Sequence, residues 1–207
     1  MNKKTPSKYP RQTYVLRVSV ADIRPQIWRK LSVAGEYTLG NLHAILQTAF
    51  GWDNDHMHSF TVDSTRYGMM LTDFGLNYED DVVDEDTVCL YDLHLQPKQK
   101  FSYLYDFGDS WLHEITVSEI IPIDTEDKVV ALPRCLGGKR AGPMEDSGGP
   151  WGYMDMLETL KDPKSEQYEE ILEWAGDFDP EYFSPEETNA RLEQIFVPLP
   201  RKTQKKG

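Results

Sequence analysis

Residues 101–117 read FSYLYDFGDSWLHEITV: two alternating aromatic and aliphatic runs on either side of a turn that holds Asp106, Gly108 and Asp109. Strand side chains alternate between two faces, so Phe101, Tyr103 and Tyr105 share one face of the first run. Trp111, His113, Ile115 and Val117 share one face of the second. The stretch therefore predicts a β-hairpin with polar groups crowded at its tip. Gly108 is the residue expected to supply a positive φ there, with the aspartates bonding to backbone amides around the bend.

Working outward, Tyr14–Val20 and Ile27–Val33 read as two strands joined at Arg24-Pro25. Thr38 stands at an N-cap ahead of Leu39, Leu42, Ile45, Leu46, Ala49 and Phe50, a 3.6-residue stripe closed by Gly51. Phe60, Val62 and Tyr67 suggest a further strand, the acidic run Tyr78–Thr87 a solvated loop, and Leu90–Leu95 one helical turn. Beyond Pro133 a Gly- and Pro-rich loop leads to three helical stretches, Trp151–Lys161, Glu166–Ala175 and Pro185–Phe196. Ser184-Pro185-Glu186-Glu187 has the form of a capping box. The order predicts an α+β fold, a β-grasp-like mixed sheet wrapping one helix, with a C-terminal helical extension. The expected organisation is a basic disordered tail (1–11), an α+β core (12–132), a loop and helical extension packed on it as one unit (133–200), and a second basic tail (201–207).

The chain has 207 residues and a formal charge of −13. Eight cations lie in the tails, so 14 basic residues face 35 acidic ones between Gln12 and Pro200, a formal −21 for the body. DNA affinity draws on Lys and Arg neutralising phosphates, and such a body is a poor duplex binder. No apolar run approaches a membrane span, and MNKKTPSKYPRQ lacks the apolar stretch of a signal peptide, so a soluble cytoplasmic protein is expected. Cys89 and Cys135 are far apart and form no CxxC pair, which predicts separate reduced thiols.

Three motifs in order, GWDNDHMHSF (51–60), YDFGDSWLHEI (105–115) and PRCLGGKRAGPMEDSGGPWGY (133–153), carry a resemblance to the Ri-plasmid (pRiA4b) ORF-3-like family, extending from about Tyr14 to Leu192. The resemblance implies fold more than chemistry. Its members are mostly of unassigned function, some bearing a label as transposon resolvases. In the family the positions of Gly142 and Ser147 often hold cysteines, which this chain lacks. A resolvase needs a nucleophilic serine among arginines, and no such arginine-supported serine can be picked out of this sequence, so a catalytic resolvase role is not expected.

Several residues could carry chemistry. Asp53, Asp55, His56 and His58 follow the first helix and, with Asp106, Asp109, His113 and Cys135, offer nitrogen, oxygen and sulfur donors for a divalent metal. His56 and His58, two apart on a strand, would point the same way. The plainer reading makes His58 and His113 partly buried histidines satisfied by aspartates and backbone. Asp106 and Asp109 as base and stabiliser, with His113 as acid, form an acid–base alternative, set against ordinary turn structure. Cys135 is either a nucleophile beside His113 or a small core residue.

Arg134, Lys139 and Arg140, with Gly148 and Gly149 ahead of a helix start at Trp151, are candidates to receive an anion. The alternative is a connector whose cations pair with Glu145, Asp146 and their neighbours. Trp52, Trp111, Trp151 and Tyr153 are expected to pack the junction between sheet and helices. Taken together, the expected function is a non-enzymatic interaction module with a protein partner. No cofactor is expected beyond a possible divalent metal, no membrane contact is expected, and nucleic acid is not expected to bind the body. A metal-dependent or acid–base enzyme at the hairpin tip, and an accessory factor of mobile-element DNA transactions, are the alternatives.

Overall fold

The computed structural model describes residues 11–69, 82–123 and 132–196. Residues 1–10 and 201–207 of the basic tails, and 78–81 of the acidic run, lie outside them. Arg11, assigned above to the first tail, pairs through Nε with Glu36 at 2.8 Å and accepts the Ile123 amide on its carbonyl.

Among the described residues eight strands form one mixed sheet: β1 (Gln12–Val20), β2 (Trp28–Ala34), β3 (His58–Val62), β4 (Thr65–Gly68), β5 (Val82–Asp84), β6 (Lys100–Tyr105), β7 (Trp111–Pro122) and β8 (Arg134–Lys139). Their order is β5-β4-β3-β6-β7-β1-β2-β8, with every described pairing antiparallel except β4 with β5. The β6–β7 hairpin lies near the middle, which is why both of its apolar faces read so clearly. Phe101 faces Ile115, Tyr103 faces His113 and Tyr105 faces Trp111, all buried on one side.

Helix α1 (Leu39–Phe50) supplies the apolar layer for that side. Thr38 Oγ1 accepts the Asn41 amide, the Asn41 side chain accepts the Thr38 amide, and Gly51 closes the helix at φ 82°. The stripe Leu39, Leu42, Ile45, Leu46, Ala49 and Phe50 is buried in full. At roughly 1.5–3 kcal/mol per buried large apolar side chain, this face contributes much of what holds helix to sheet.

The stretch read as a single strand near Phe60 is a hairpin, β3 and β4. Part of the acidic run, Val82–Asp84, is an edge strand followed by a helical turn at Glu85–Thr87. Three helices follow β8: α2 (Gly149–Thr159), α3 (Tyr168–Ala175) and α4 (Pro185–Ile195). Helix α4 begins at Ser184, whose Oγ accepts the Glu187 amide, and it packs on both α1 and β8.

The segment Arg134–Lys139, expected as a loop, is strand β8, paired with β2. Its glycines serve close packing as much as bending. A Cβ on Gly138 would lie 2.7 Å from both the Phe183 ring and the Trp28 carbonyl. No helix among the described residues is long and apolar enough to cross a membrane.

Candidate functional site

The three motif stretches meet at one end of the sheet. Trp52 is buried, donates its indole N–H to the Pro143 carbonyl at 2.8 Å, and stacks on Tyr105 with centroids 4.8 Å apart. The Tyr105 hydroxyl donates to Glu145 Oε1, and Glu145 Oε2 accepts the Asp53 amide at 3.0 Å. Burial and this carboxylate hold the Tyr105 phenol well above its ordinary pKa. Trp111 and Tyr153 are buried in the same junction, as expected. Trp151 is not: it is 85% exposed, because Tyr153, Met156 and Leu157 set the inward face of α2 and a residue two positions before Tyr153 points away.

At the hairpin tip Asp106 takes φ 54° and Ser110 φ 57°. The left-handed backbone thus falls on Asp106, a residue type that tolerates it, and on Ser110 rather than on Gly108. Asp106 Oδ1 accepts the Gly108 amide at 2.9 Å. Its Oδ2 faces His56 Nδ1 at 3.7 Å, and His56 Nε2 faces Asp146 Oδ1 at 3.2 Å. His56, Asp106 and Asp146 can each offer one ligand atom, all within 4.8 Å of one another. This is where sequence donors converge, and Asp146 joins them from the third motif.

The other donors are dispersed. His58 opens β3 and points into the core, its Nε2 2.9 Å from both oxygens of buried Glu85, so it parts company with His56, which precedes the strand. His113 is wholly buried between Phe50, Trp52 and Tyr103 and bonds through Nδ1 to the Trp111 carbonyl. Burial pushes its pKa down to about 4. Cys135 lies on β8, and burial raises its thiol pKa.

At the start of α2, where an anion was expected, the chain's own Asp109 takes one backbone amide. Its Oδ2 accepts the Gly148 amide at 3.0 Å, and its carbonyl lies where a Cβ on Gly149 would fall, 2.2 Å away. Two of the three candidate cations, Arg134 on β8 and Arg140 just after it, pair elsewhere. Arg134 meets Glu193 at 2.7 Å, and Arg140 meets Glu181 at 2.7 Å and donates to the Pro25 carbonyl at 2.8 Å. Lys139 is exposed.

Two buried polar clusters were not picked out in the sequence. His43 bonds Tyr103 Oη at 2.7 Å through Nδ1 and Asn54 Oδ1 through Nε2. Gln47 donates to the Tyr103 hydroxyl at 2.9 Å and accepts the Asn54 amide at 3.0 Å, which closes a ring of four residues. Burial and the neighbouring His58 push the His43 pKa down to about 3. The signal was a histidine within the apolar stripe of α1, with Gln47 one turn on. The second cluster surrounds Arg29, buried on β2 against Phe50 and Phe183.

The family model of the plasmid pRiA4b ORF-3-like protein matches residues 12–187. An uncharacterised protein y4hQ of Sinorhizobium fredii is 33% identical over 195 residues, 92% of this chain and 96% of that one. The crystal structure of a protein of unknown function from Methanosarcina mazei Go1, MM3350, is 36% identical with a TM-score of 0.74, covering 86% of this chain and 98% of that one. With the three motifs gathered at one end of an eight-stranded sheet, the chain belongs to the plasmid pRiA4b ORF-3-like family.

Proposed function

We propose that the protein is a non-enzymatic interaction module that docks a protein partner where the β6–β7 turn meets the start of α2. Trp151 carries the reading: its indole is 85% exposed although the backbone two residues earlier is in tight contact with Asp109. An exposed indole leaves a large apolar area in water, and Trp is enriched among the anchors of protein interfaces. Phe107, two residues before Asp109 in the same turn, is also exposed. The Asp106 and Asp109 bonds to Gly108 and Gly148 fix the backbone of the turn and of the α2 start that carry these two residues, which lowers the ordering cost of docking.

Supporting the same reading, Asp109, His58 and His113 are each engaged in bonds that hold the fold. A β-grasp-like description belongs with it, supported by one helix that follows a hairpin and packs across the sheet. Affinity capture from cells that make the protein, with wild type against Trp151→Ala and Phe107→Ser, tests the proposal. The expected result is a partner lost from both variants at unchanged melting temperature. Equal recovery with both variants contradicts it.

The His56, Asp106 and Asp146 cluster favours a second reading, a divalent-metal centre with water completing the coordination. Calorimetric titration with Zn²⁺ and Mn²⁺ decides this one. Stoichiometric uptake abolished by Asp106→Asn and by Asp146→Asn supports it, and uptake that both variants retain sinks it.

A further inference from the structure

Arg29 and Arg140 are both buried cations, at 2% and 3% exposure, yet they are treated differently. Arg140 has a carboxylate, Glu181, at 2.7 Å. Arg29 has three neutral carbonyls: Nε donates to Ala49 at 2.8 Å, and Nη1 donates to Trp28 at 2.9 Å and Lys139 at 3.2 Å. Those bonds use the Nε hydrogen and both Nη1 hydrogens. No acceptor among the described residues takes the two N–H groups of Nη2, and no ion pair among them includes Arg29. The rings of Phe183 and Phe50 lie against the guanidinium, with centroids 4.1 and 4.9 Å from its central carbon. Burial lowers its pKa to about 10, and the neighbouring Arg191 acts in the same direction.

Arg29 lines a cleft of about 400 Å³ between the end of α1, the 141–145 segment and α4, within the size range of small-molecule sites. Phe50, Phe178, Tyr182 and Phe183 supply flat aromatic walls, and exposed Arg191 adds a second cation. Three carboxylates also line it. Glu145 has both oxygens engaged, by Tyr105 and by the Asp53 amide, and Glu187 takes the Tyr182 hydroxyl at 2.5 Å. Asp53 is exposed.

From this arrangement we infer that the cleft binds a small monocarboxylate with a flat aromatic body. The carboxylate lies on the Nη2 hydrogens of Arg29, and the body lies against the aromatic walls. A charge-assisted hydrogen bond to a desolvated guanidinium is among the stronger polar contacts available to a ligand. A single negative charge matches the two remaining donors on one nitrogen. A phosphate dianion brings more charge than those donors can take, in a cleft that already holds three acidic side chains. The site is separate from the Trp151 face, and the inference stands or falls independently of the docking proposal.

The probe is 2-naphthoate, compared with 2-naphthalenemethanol, a neutral molecule of nearly the same shape, and with inorganic phosphate. Calorimetry on the wild-type full chain is expected to show one naphthoate bound per molecule and at least tenfold weaker binding of the alcohol. One arginine side-chain Nε–H resonance should move during the titration and be assigned to Arg29. Arg191→Gln, an exposed change that leaves the fold intact, should weaken naphthoate severalfold. Equal affinity for acid and alcohol, tighter binding of phosphate than of naphthoate, or no naphthoate binding at millimolar concentration each overturns the inference. The acid–alcohol contrast needs no variant, so an Arg29 substitution that failed to fold would not affect the outcome.

Discussion

The imidazole rings of His43 and His58 stack 3.5 Å apart and within 1° of parallel, both buried, one from helix α1 and the other from strand β3. They are not equivalent. His58 faces the Glu85 carboxylate, whereas His43 sits in a ring of neutral partners, Tyr103, Asn54 and Gln47. Protonating His43 would place a cation beside His58 and break its acceptor role toward the Tyr103 hydroxyl. His113 is neutral for the simpler reason of complete burial.

Acid should therefore destabilise the protein well before its carboxylates are all protonated. In the unfolded chain a histidine titrates near pH 6.5, while His43 and His113 do so at about 3 and about 4 in the fold. Between those values the unfolded state binds more protons, so stability is complete above about pH 6.5 and is lost as pH falls. With two protons involved, the slope should approach roughly 2.7 kcal/mol per pH unit between pH 6 and 4.5. Urea unfolding at a series of pH values measures it, and His113→Phe should remove about half the slope. A profile flat from pH 7.5 to 4.5 contradicts the assignment.

Gly149→Ala should separate α2 from the hairpin tip. Gly149 has φ 69°, and an added Cβ would fall 2.2 Å from the Asp109 carbonyl oxygen, which belongs to rigid backbone rather than a movable side chain. Strain and displacement together are expected to cost about 2 kcal/mol or more. The midpoint of urea unfolding reads this directly. Gly51→Ala is the control: it shares the left-handed conformation at φ 82° but has nothing within 4 Å, and it should cost only about 1 kcal/mol.

What could be read in the sequence was local. The hairpin faces, Thr38 and Gly51 at the ends of α1, and Ser184 at the start of α4 depend on neighbours in the chain, and each stands as expected. Strand β8 depends on β2, a hundred residues away, and its glycine pair looks like loop composition until Phe183 and the Trp28 carbonyl are seen pressing on Gly138. The candidate site divided in the same way. Asp106 and His56 lie in quoted motifs and meet, but nothing in a run of six acidic residues distinguishes Glu85 as the partner of His58. Arg29 did carry a signal that was not read: alternation along β2 puts it on the buried face with Leu31 and Val33 and leaves the solvent face to Lys30.

Cys135 should be unreactive in the folded protein. Burial raises its thiol pKa, so its thiolate fraction at pH 8 falls below that of an ordinary cysteine. Titration with a thiol-reactive disulfide should modify no more than Cys89 in native conditions and both thiols in 6 M guanidinium. Rapid native labelling of Cys135 would restore the nucleophile reading that its position on β8 argues against.

Asn189 protects the sheet edge, and replacing it should cost more than a single hydrogen bond. Among the described strands β8 is the last in the sheet, and Asn189 of α4 accepts the Cys135 amide at 2.8 Å and donates to the Cys135 carbonyl at 3.0 Å. One side chain thus satisfies the outward donor and acceptor of the same edge residue. Asn189→Ala leaves both without their partner, at a cost of about 2 kcal/mol. It also leaves an edge that can pair with a second chain. Urea unfolding and light scattering on the variant read the two effects separately. Lower stability with a rising dimer fraction is the expected result, and a variant as stable and monodisperse as wild type would show that α4 covers β8 by apolar packing alone.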